Sequence, residues 1–234
     1  MPLTLNTRYC GSVYVIQCTG DIVLGDAERT LDTALDHAER QFQRFVLNLT
    51  GITRLDSMGL GLLVRHSLRL AKRGGALRLA GSPPFVTKLL DLTRLSAVMP
   101  NFATEDDAIL SFMERGYAQP AAAKSARRLL IFDPSPDLCT FARSVLSSRG
   151  FDVRTTCAFG DAKLLLRVDP VEYILIGPGT PQIPAEMAAH ELAALAPGAS
   201  VLQLGADFKS RDALDATQSL IQMFGIGGGS PASA

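Results

Sequence analysis

Short apolar runs alternate with amphipathic patterns along the first half of the chain. Three runs rich in apolar residues predict strands, at residues 13–18, 45–49 and 77–79. Apolar residues that recur at spacings of three and four predict helices over 27–42 and 57–73, and shorter ones after Ser82-Pro83 and Thr104. Because strands and helices alternate, this half is predicted to be an α/β domain with helices packed on a sheet.

The second half repeats the alternation with more strongly apolar strands. Four runs predict buried strands, at residues 129–133, 151–155, 173–176 and 200–204. Helical patterns follow the first two runs. This βαβαβ order predicts a second α/β domain with a doubly wound parallel sheet.

Small, weakly patterned residues separate the two halves. Residues 118–126, with the sequence AQPAAAKSA, predict a linker, so the domains are expected to span 1–117 and 127–224. The glycine-rich segment 225–234 is expected to be a flexible tail.

Composition excludes several classes of protein. The chain has 234 residues, of which 47% are hydrophobic and 20% charged, which is enough apolar material for two cores and excludes a mainly disordered chain. The formal net charge is zero, and each half is nearly balanced. Binding to nucleic acid or to an anionic membrane surface is therefore not expected.

The cysteines and the amino terminus indicate a soluble protein of a reducing compartment. Cys10, Cys18, Cys139 and Cys157 form no CxxC pair, and the three histidines add no zinc-ligand spacing. No secretory signal and no apolar run of membrane-spanning length is present in the sequence. We therefore expect a cytoplasmic location, reduced thiols and no bound metal.

The most informative segment begins the second long helix. Ser57 stands where an N-cap residue belongs, and one interpretation is that it only caps the helix, contributing about 1 kcal/mol. The other is that it accepts a phosphate, because a helix amino terminus presents N–H groups and the positive end of the helix dipole. Gly59 and Gly61 keep the first turn slim, so that another protein's backbone could approach it.

The first half resembles the STAS domain of bacterial anti-sigma factor antagonists over about residues 3–115. The resemblance is carried by Thr19-Gly20-Asp21-Ile22, Val46-Leu47-Asn48-Leu49, Asp56-Ser57-Met58-Gly59-Leu60-Gly61, Gly74-Gly75 and the run LLDLTRL at 89–95.

The resemblance implies a phosphorylation-switched binding protein rather than an enzyme. Ser57 matches the serine that an anti-sigma factor with kinase activity phosphorylates in that family, and a phosphatase would restore it. The unphosphorylated form would bind the kinase and free its target. Partner contacts are expected at Asp21, Asp56, Ser57, Met58, Gly59 and Gly61. Met58 stands where the family often has a second small polar residue.

The second half resembles a response-regulator receiver domain, of flavodoxin-like fold, over about residues 127–224. Asp133 matches one acidic residue of the magnesium site, but Pro134 stands where its acidic neighbour belongs. Gly177 falls at the phosphoacceptor position and Gly205 at the Thr/Ser position, and Pro181 alone matches the expected loop after the third strand. The resemblance thus implies a pseudo-receiver, an interaction module without a cofactor.

Two other functions remain open from the sequence. The chain could be a scaffold subunit of a signalling assembly in which Ser57 is only a cap. It could also be a nucleotide-binding α/β enzyme that uses the loop from Gly177 to Gly179, although no complete phosphate-binding motif follows. His66, between Arg65 and Arg69, is expected at the surface of the helix.

Overall fold

A computed structural model describes residues 1–114, 127–180, 182–210 and 213–225. The chain divides into two compact units, Met1–Tyr117 and Ala118–Ala234. The predicted linker 118–126, Pro181, and the predicted tail beyond residue 225 lie outside the described residues. Among the described residues no helix has the length and apolar character that crossing a membrane requires.

The first unit is a mixed sheet with helices. Its strands are β1 (Thr4–Cys10), β2 (Val13–Ile22), β3 (Arg44–Leu55), β4 (Ala76–Ala80) and β5 (Asn101–Phe102). Its helices are α1 (Asp26–Ala38), α2 (Ser57–Lys72), α3 (Pro84–Leu92) and α4 (Glu105–Glu114), with a 3₁₀ turn at Leu95–Ala97. The strands are ordered β5-β4-β3-β2-β1; β1 runs antiparallel to β2, and the other neighbours are parallel.

Buried apolar side chains hold α1 and α2 to this sheet. Leu31, Leu35 and Ala38 form the buried stripe of α1 at spacings of four and three, as the sequence pattern predicts. Leu63 and Leu70 are fully buried on α2. The apolar face thus fixes how α2 lies and where its first turn starts.

The start of α2 lies at the edge where β2 and β3 end. These two strands are parallel, with Ile22 in register with Leu55, so both finish at the same edge of the sheet. Asp56 follows β3 directly and precedes the first residue of α2, Ser57. The segment that the sequence analysis singled out is therefore placed beside the loop after β2.

Two strand predictions were too short, and two strands, β1 and the short β5, were missed. Both β2 and β3 continue past their predicted ends, to Ile22 and Leu55. Strand β1 was not predicted because its sequence TLNTRYC carries several exposed polar residues. Its strand conformation is stabilised by antiparallel pairing with β2, which its composition does not indicate.

The second unit is a parallel sheet covered by two pairs of helices. Its strands are β6 (Arg127–Phe132), β7 (Phe151–Thr156), β8 (Tyr173–Ile176) and β9 (Ser200–Gln203), in the order β7-β6-β8-β9. Its helices are α5 (Pro136–Ser147), α6 (Phe159–Val168), α7 (Ala185–Leu195) and α8 (Ala213–Met223). Helix α5 packs with α8 and α6 with α7. This is a doubly wound α/β arrangement, and all four predicted strands are present.

Candidate functional site

Asp56, rather than Ser57, caps helix α2. The Oδ1 atom of Asp56 accepts a hydrogen bond from the Gly59 N–H at 2.8 Å, and its backbone is extended, as is typical of an N-cap. Ser57 is the first residue of the helix. The interpretation of Ser57 as the cap is therefore wrong by one position, because the carboxylate one residue earlier takes that role.

The same carboxylate also fastens the loop after β2. Its Oδ2 atom accepts the N–H of Leu24 at 2.9 Å, and the Asp56 N–H donates to the Ile22 carbonyl at 3.3 Å. The backbone N–H of Gly59, followed by that of Leu24, holds the pKa of Asp56 below its usual value. Asp56 is therefore ionised at neutral pH and joins two segments of the site.

Ser57 and Met58 are exposed on the first turn of α2. Ser57 is exposed to solvent, and 48% of the surface of Met58 is accessible. The N–H groups of Met58 and Gly59 already donate to Asp56, so the start of the helix offers fewer donors to an anion than its sequence suggests. A phosphate on Ser57 would instead lie beside a negative carboxylate.

The two glycines of the first turns serve different purposes. A Cβ at residue 59 would lie 2.5 Å from the carbonyl oxygen of Ile22, so Gly59 lets α2 pack against the end of β2. Gly61 is exposed, and a Cβ there would have no neighbour within 4 Å. Gly59 therefore faces inward and Gly61 faces solvent, and partner contact at either glycine stays a prediction.

Asp21 lies at the end of β2, but little of it faces solvent. The residue is 6% exposed; its carboxylate accepts hydrogen bonds from the amino-terminal ammonium and from the Thr53 hydroxyl. These two contacts, the ammonium first, lower the pKa of Asp21. Asp21 therefore shapes the site from beneath and presents little of its own surface to a partner.

Two residues of this surface were missed in the sequence. Leu24 is 64% exposed although it is apolar, and its backbone is tied to Asp56. Arg54 is exposed at the end of β3 and acts electrostatically on both Asp21 and Asp56. The sequence did contain a signal for Leu24. It is an apolar residue directly before Gly25, and it lies outside the apolar stripe of α1, so it was not needed for the core.

His66 is buried, contrary to the prediction. Its side chain has no exposure, with Nδ1 2.6 Å from Glu39 Oε1 and Nε2 2.7 Å from Asp32 Oδ1. Residue 66 lies four positions after Leu62 and four before Leu70, which are both buried, and so belongs to the inward face of α2. The spacing of His66 from Leu62 and Leu70 indicates burial, whereas its charged neighbours Arg65 and Arg69 had suggested exposure.

The carboxylates around His66 are paired with arginines. Arg69 Nε donates to Glu39 at 2.8 Å and Arg65 to Asp32 at 2.9 Å, and Arg69 also pairs with Asp36. Ligand atoms of Asp32, Asp36 and His66 lie within 4.8 Å of one another, a spacing that a metal ion would fit. Because guanidinium groups already neutralise both aspartates, the group acts as an ion-pair network between α1 and α2.

In the second unit, the carboxylate of Asp133 fills the position expected for a phosphoacceptor. Asp133 follows β6, is fully buried, and accepts the Ser135 N–H at 2.7 Å. A Cβ at residue 177 would lie 1.9 Å from Asp133 Oδ2. Gly177 thus leaves room for the aspartate, and any larger residue there would displace it.

The glycine loop after β8 is engaged by its own chain. A Cβ at Gly179 would lie 2.7 Å from the Ala185 N–H nitrogen, and Gly179 bridges to Pro184. Gly177 contacts the acidic Asp133, which repels phosphate. The contacts that a nucleotide phosphate needs are therefore not offered at these two glycines.

Comparison with known proteins defines the first unit. The family model described as STAS domain matches residues 5–108. The N-terminal unit is therefore similar to STAS domains over most of its length. The anti-sigma F factor antagonist of Paenibacillus polymyxa is 25% identical over 112 residues, which make up 47% of this chain and 94% of that protein. The similarity thus covers nearly the whole relative and the first unit here.

Solved structures give matches over a similar share of the chain. A crystal structure of an anti-sigma factor antagonist from Mycobacterium paratuberculosis has 24% identity and a TM-score of 0.43, over 47% of this chain and 92% of that one. The Bacillus cell fate determinant SpoIIAA in its phosphorylated form has 22% identity and a TM-score of 0.39, over 47% and 97%.

Proposed function

We propose that this chain is an anti-sigma factor antagonist-like signalling protein whose STAS domain binds a partner anti-sigma factor or related serine kinase. Phosphorylation of Ser57 by that kinase would end the binding, and a phosphatase would restore it. The observation that carries the proposal is the exposed Ser57 at the first position of α2, with the capping role taken by Asp56. The serine is thereby available for modification without loss of the helix cap.

The surface around Ser57 has the composition of a small protein-binding patch. Leu24, in the loop after β2, and Met58, in the first turn of α2, are exposed apolar side chains next to Asp56. Gly61 lies one turn further along α2 and leaves the surface there open. Exposed apolar residues with a polar rim are typical of interaction surfaces. We propose that Leu24, Met58 and Gly61 make contacts there, with Asp56 and Asp21 holding the surface in shape.

Charge explains how a phosphate would switch this surface. Phosphorylation adds about −1.5 to −2 charges at neutral pH, directly beside the ionised Asp56. Burying such a group in an interface without sufficient cationic partners costs several kcal/mol. A micromolar interaction is worth about 8 kcal/mol, so this cost is enough to release the partner.

The second unit is proposed to be a pseudo-receiver that serves as an interaction module. Its strand order, with the second strand at one side of the first and the third at the other, is the flavodoxin-like order. Gly177 carries no carboxylate to accept a phosphoryl group, and the carboxylate of Asp133 occupies the adjoining space. The unit therefore offers partners a surface rather than a phosphorylation site.

The test combines phosphorylation with binding. The chain would be incubated with ATP and the anti-sigma kinase encoded nearest to it, and the tryptic peptide 55–65 examined by mass spectrometry. We expect one added phosphate on Ser57 and none in the Ser57→Ala variant. In calorimetric titrations Ser57→Ala should bind the kinase as the wild type does, and Ser57→Asp should lose measurable binding.

Two results would go against this proposal. Equal binding by Ser57→Asp and Ser57→Ala would remove the switch. Binding without any phosphate transfer to residues 55–65 would instead favour a scaffold subunit that is not phosphorylated at this site.

A further inference from the structure

Two cysteines that are distant in sequence come together in the second unit. Cys139 lies in the first turns of α5 and is fully buried, and Cys157 follows the last residue of β7. The Sγ atom of Cys139 is 3.6 Å from the carbonyl oxygen of Thr156, the residue before Cys157, and 3.4 Å from that of Asp133. The side chain of Cys157 is close enough to that of Cys139 to act on its pKa.

The two thiols differ in accessibility. Cys157 is half-buried and lies in the bend between β7 and α6, whereas Cys139 has no exposed surface. The neighbouring Cys157 side chain, followed by burial, raises the pKa of Cys139. Cys139 therefore lies behind a more accessible thiol, the arrangement in which the accessible cysteine is oxidised first and the buried one resolves it.

The cysteines of the first unit offer a contrast. Cys10 and Cys18 are both fully buried, and burial raises the pKa of Cys18 to about 12. Cys18 contacts the carbonyl of Ile16 at 4.0 Å, and its strand register pairs it with Leu5 rather than with Cys10. These two thiols are natural internal controls, because neither combines accessibility with a neighbouring thiol.

We propose that Cys139 and Cys157 form an oxidisable dithiol that hydrogen peroxide converts into a disulfide within the second unit. The Cys157 sulfur attacks one peroxide oxygen: an S–O bond forms, the O–O bond breaks, and the departing hydroxide takes the Cys157 thiol proton and leaves as water. The Cys139 sulfur then attacks the sulfenic acid sulfur: the S–S bond forms, the S–O bond breaks, and the Cys139 proton leaves in a second water. Two thiols are oxidised and one peroxide is reduced to two waters.

Closure of the disulfide depends on the backbone at Cys157. A disulfide requires the sulfurs to approach to about 2.05 Å. Cys157 lies outside the hydrogen-bonded part of β7, so its backbone can adjust without breaking the ladder to β6. The bond would join the start of α5 to the loop after β7, at the sheet edge that carries Asp133.

The experiment uses the full chain, reduced and then exposed to hydrogen peroxide. Remaining thiols are alkylated in denaturant, and the chain is digested with trypsin without reduction. Trypsin places the two cysteines on separate peptides, 129–143 and 155–163. We expect a linked pair of these peptides, lighter by two hydrogens than their sum, the loss of two of the four alkylatable thiols, and recovery of both on adding dithiothreitol.

Variants and denaturant decide whether the folded structure directs the pairing. In Cys157→Ser the other three thiols should stay alkylatable after peroxide, and in Cys139→Ala the unresolved Cys157 should gain oxygen up to the sulfinic acid. In urea the specific 139–157 link should give way to mixed pairings. Four intact thiols after treatment of the folded chain, a link to Cys10 or Cys18, or an equal yield in urea would each overturn the proposal. If Cys139→Ala does not fold, Cys157→Ser and the urea comparison decide alone.

Discussion

A single side chain, Asp56, determines the geometry of the candidate site. One carboxylate oxygen holds the start of α2 and the other holds the loop at Leu24. The sequence placed this segment at a helix start correctly, but it could not tell which of two adjacent capping residues would cap. Aspartate and serine are nearly equal as N-caps, and only the extended backbone at residue 56 decides between them.

The cap assignment predicts a difference in stability between neighbouring variants. Asp56→Ala should lower the free energy of unfolding by about 1–2 kcal/mol, because it removes the cap and leaves the Gly59 N–H without its acceptor. Ser57→Ala should change it by no more than about 0.5 kcal/mol. Urea denaturation followed by circular dichroism measures both, and an equal loss in the two variants would contradict the assignment.

Acid titration supplies the control for that prediction. The pKa of Asp56 is lowered in the folded state, so its stabilising effect is present above the unfolded pKa of about 3.9 and is lost as the pH falls through the folded value. The difference between the wild type and Asp56→Asn should therefore be full at pH 6 and should shrink below about pH 4.

The glycines of α2 give a second matched pair. Gly59→Ala should destabilise the protein, because its Cβ would lie 2.5 Å from a backbone oxygen that cannot move aside easily. Gly61→Ala should stabilise it by up to about 1 kcal/mol, because alanine favours the helix and meets no neighbour. Thermal unfolding of the two variants should shift in opposite directions; a shift of the same sign in both would show that their surroundings are alike.

Among the elements, the pairing of α1 with α2 contains the least expected chemistry. Both helices contribute apolar side chains to one core, as their periodicity predicted, but they also enclose His66 between Glu39 and Asp32. The sequence could not reveal this because the acidic partners lie on another helix, about 30 residues earlier. Periodicity identifies the inward face of a helix but not the residues of other elements that this face contacts.

Removal of the buried acid from this network should be costly. Glu39 is 4% exposed and accepts from His66 and Arg69, so Glu39→Ala should lower the free energy of unfolding by about 2 kcal/mol. Asp36, an exposed partner of the same arginine, is the control, and Asp36→Ala should cost less than about 1 kcal/mol. Chemical denaturation of both variants tests this; equal losses would mean that burial gives Glu39 no special weight.

The strength of the apolar pattern decided which strands and helices could be predicted. The buried strands of the second unit were all predicted, because β-branched and aromatic residues there leave few alternatives. Helix α7 was not, since its alanine-rich sequence AEMAAHELAAL carries only a weak contrast between faces. Strand β1 was missed for the opposite reason, because its exposed polar residues hide a strand that pairing with β2 maintains.

At the scale of the whole molecule, two α/β units share one nearly neutral chain. The formal net charge is zero, so a single phosphate is a large change against the background. The first unit keeps an exposed serine at its site, whereas in the second a buried aspartate fills the space beside Gly177. Gly177 can be read from the sequence, but its contact with the side chain of Asp133 required the three-dimensional arrangement.

The double attachment of Asp56 also bears on the rate and cost of association. Because the loop at Leu24 and the first turn of α2 are fastened to one carboxylate during folding, their ordering entropy is lost before any partner arrives. Association then requires little further immobilisation of the backbone, and more of the contact energy is available as affinity. The surface around Ser57 is in this sense preorganised, and the proposed partner would meet it already in its binding shape.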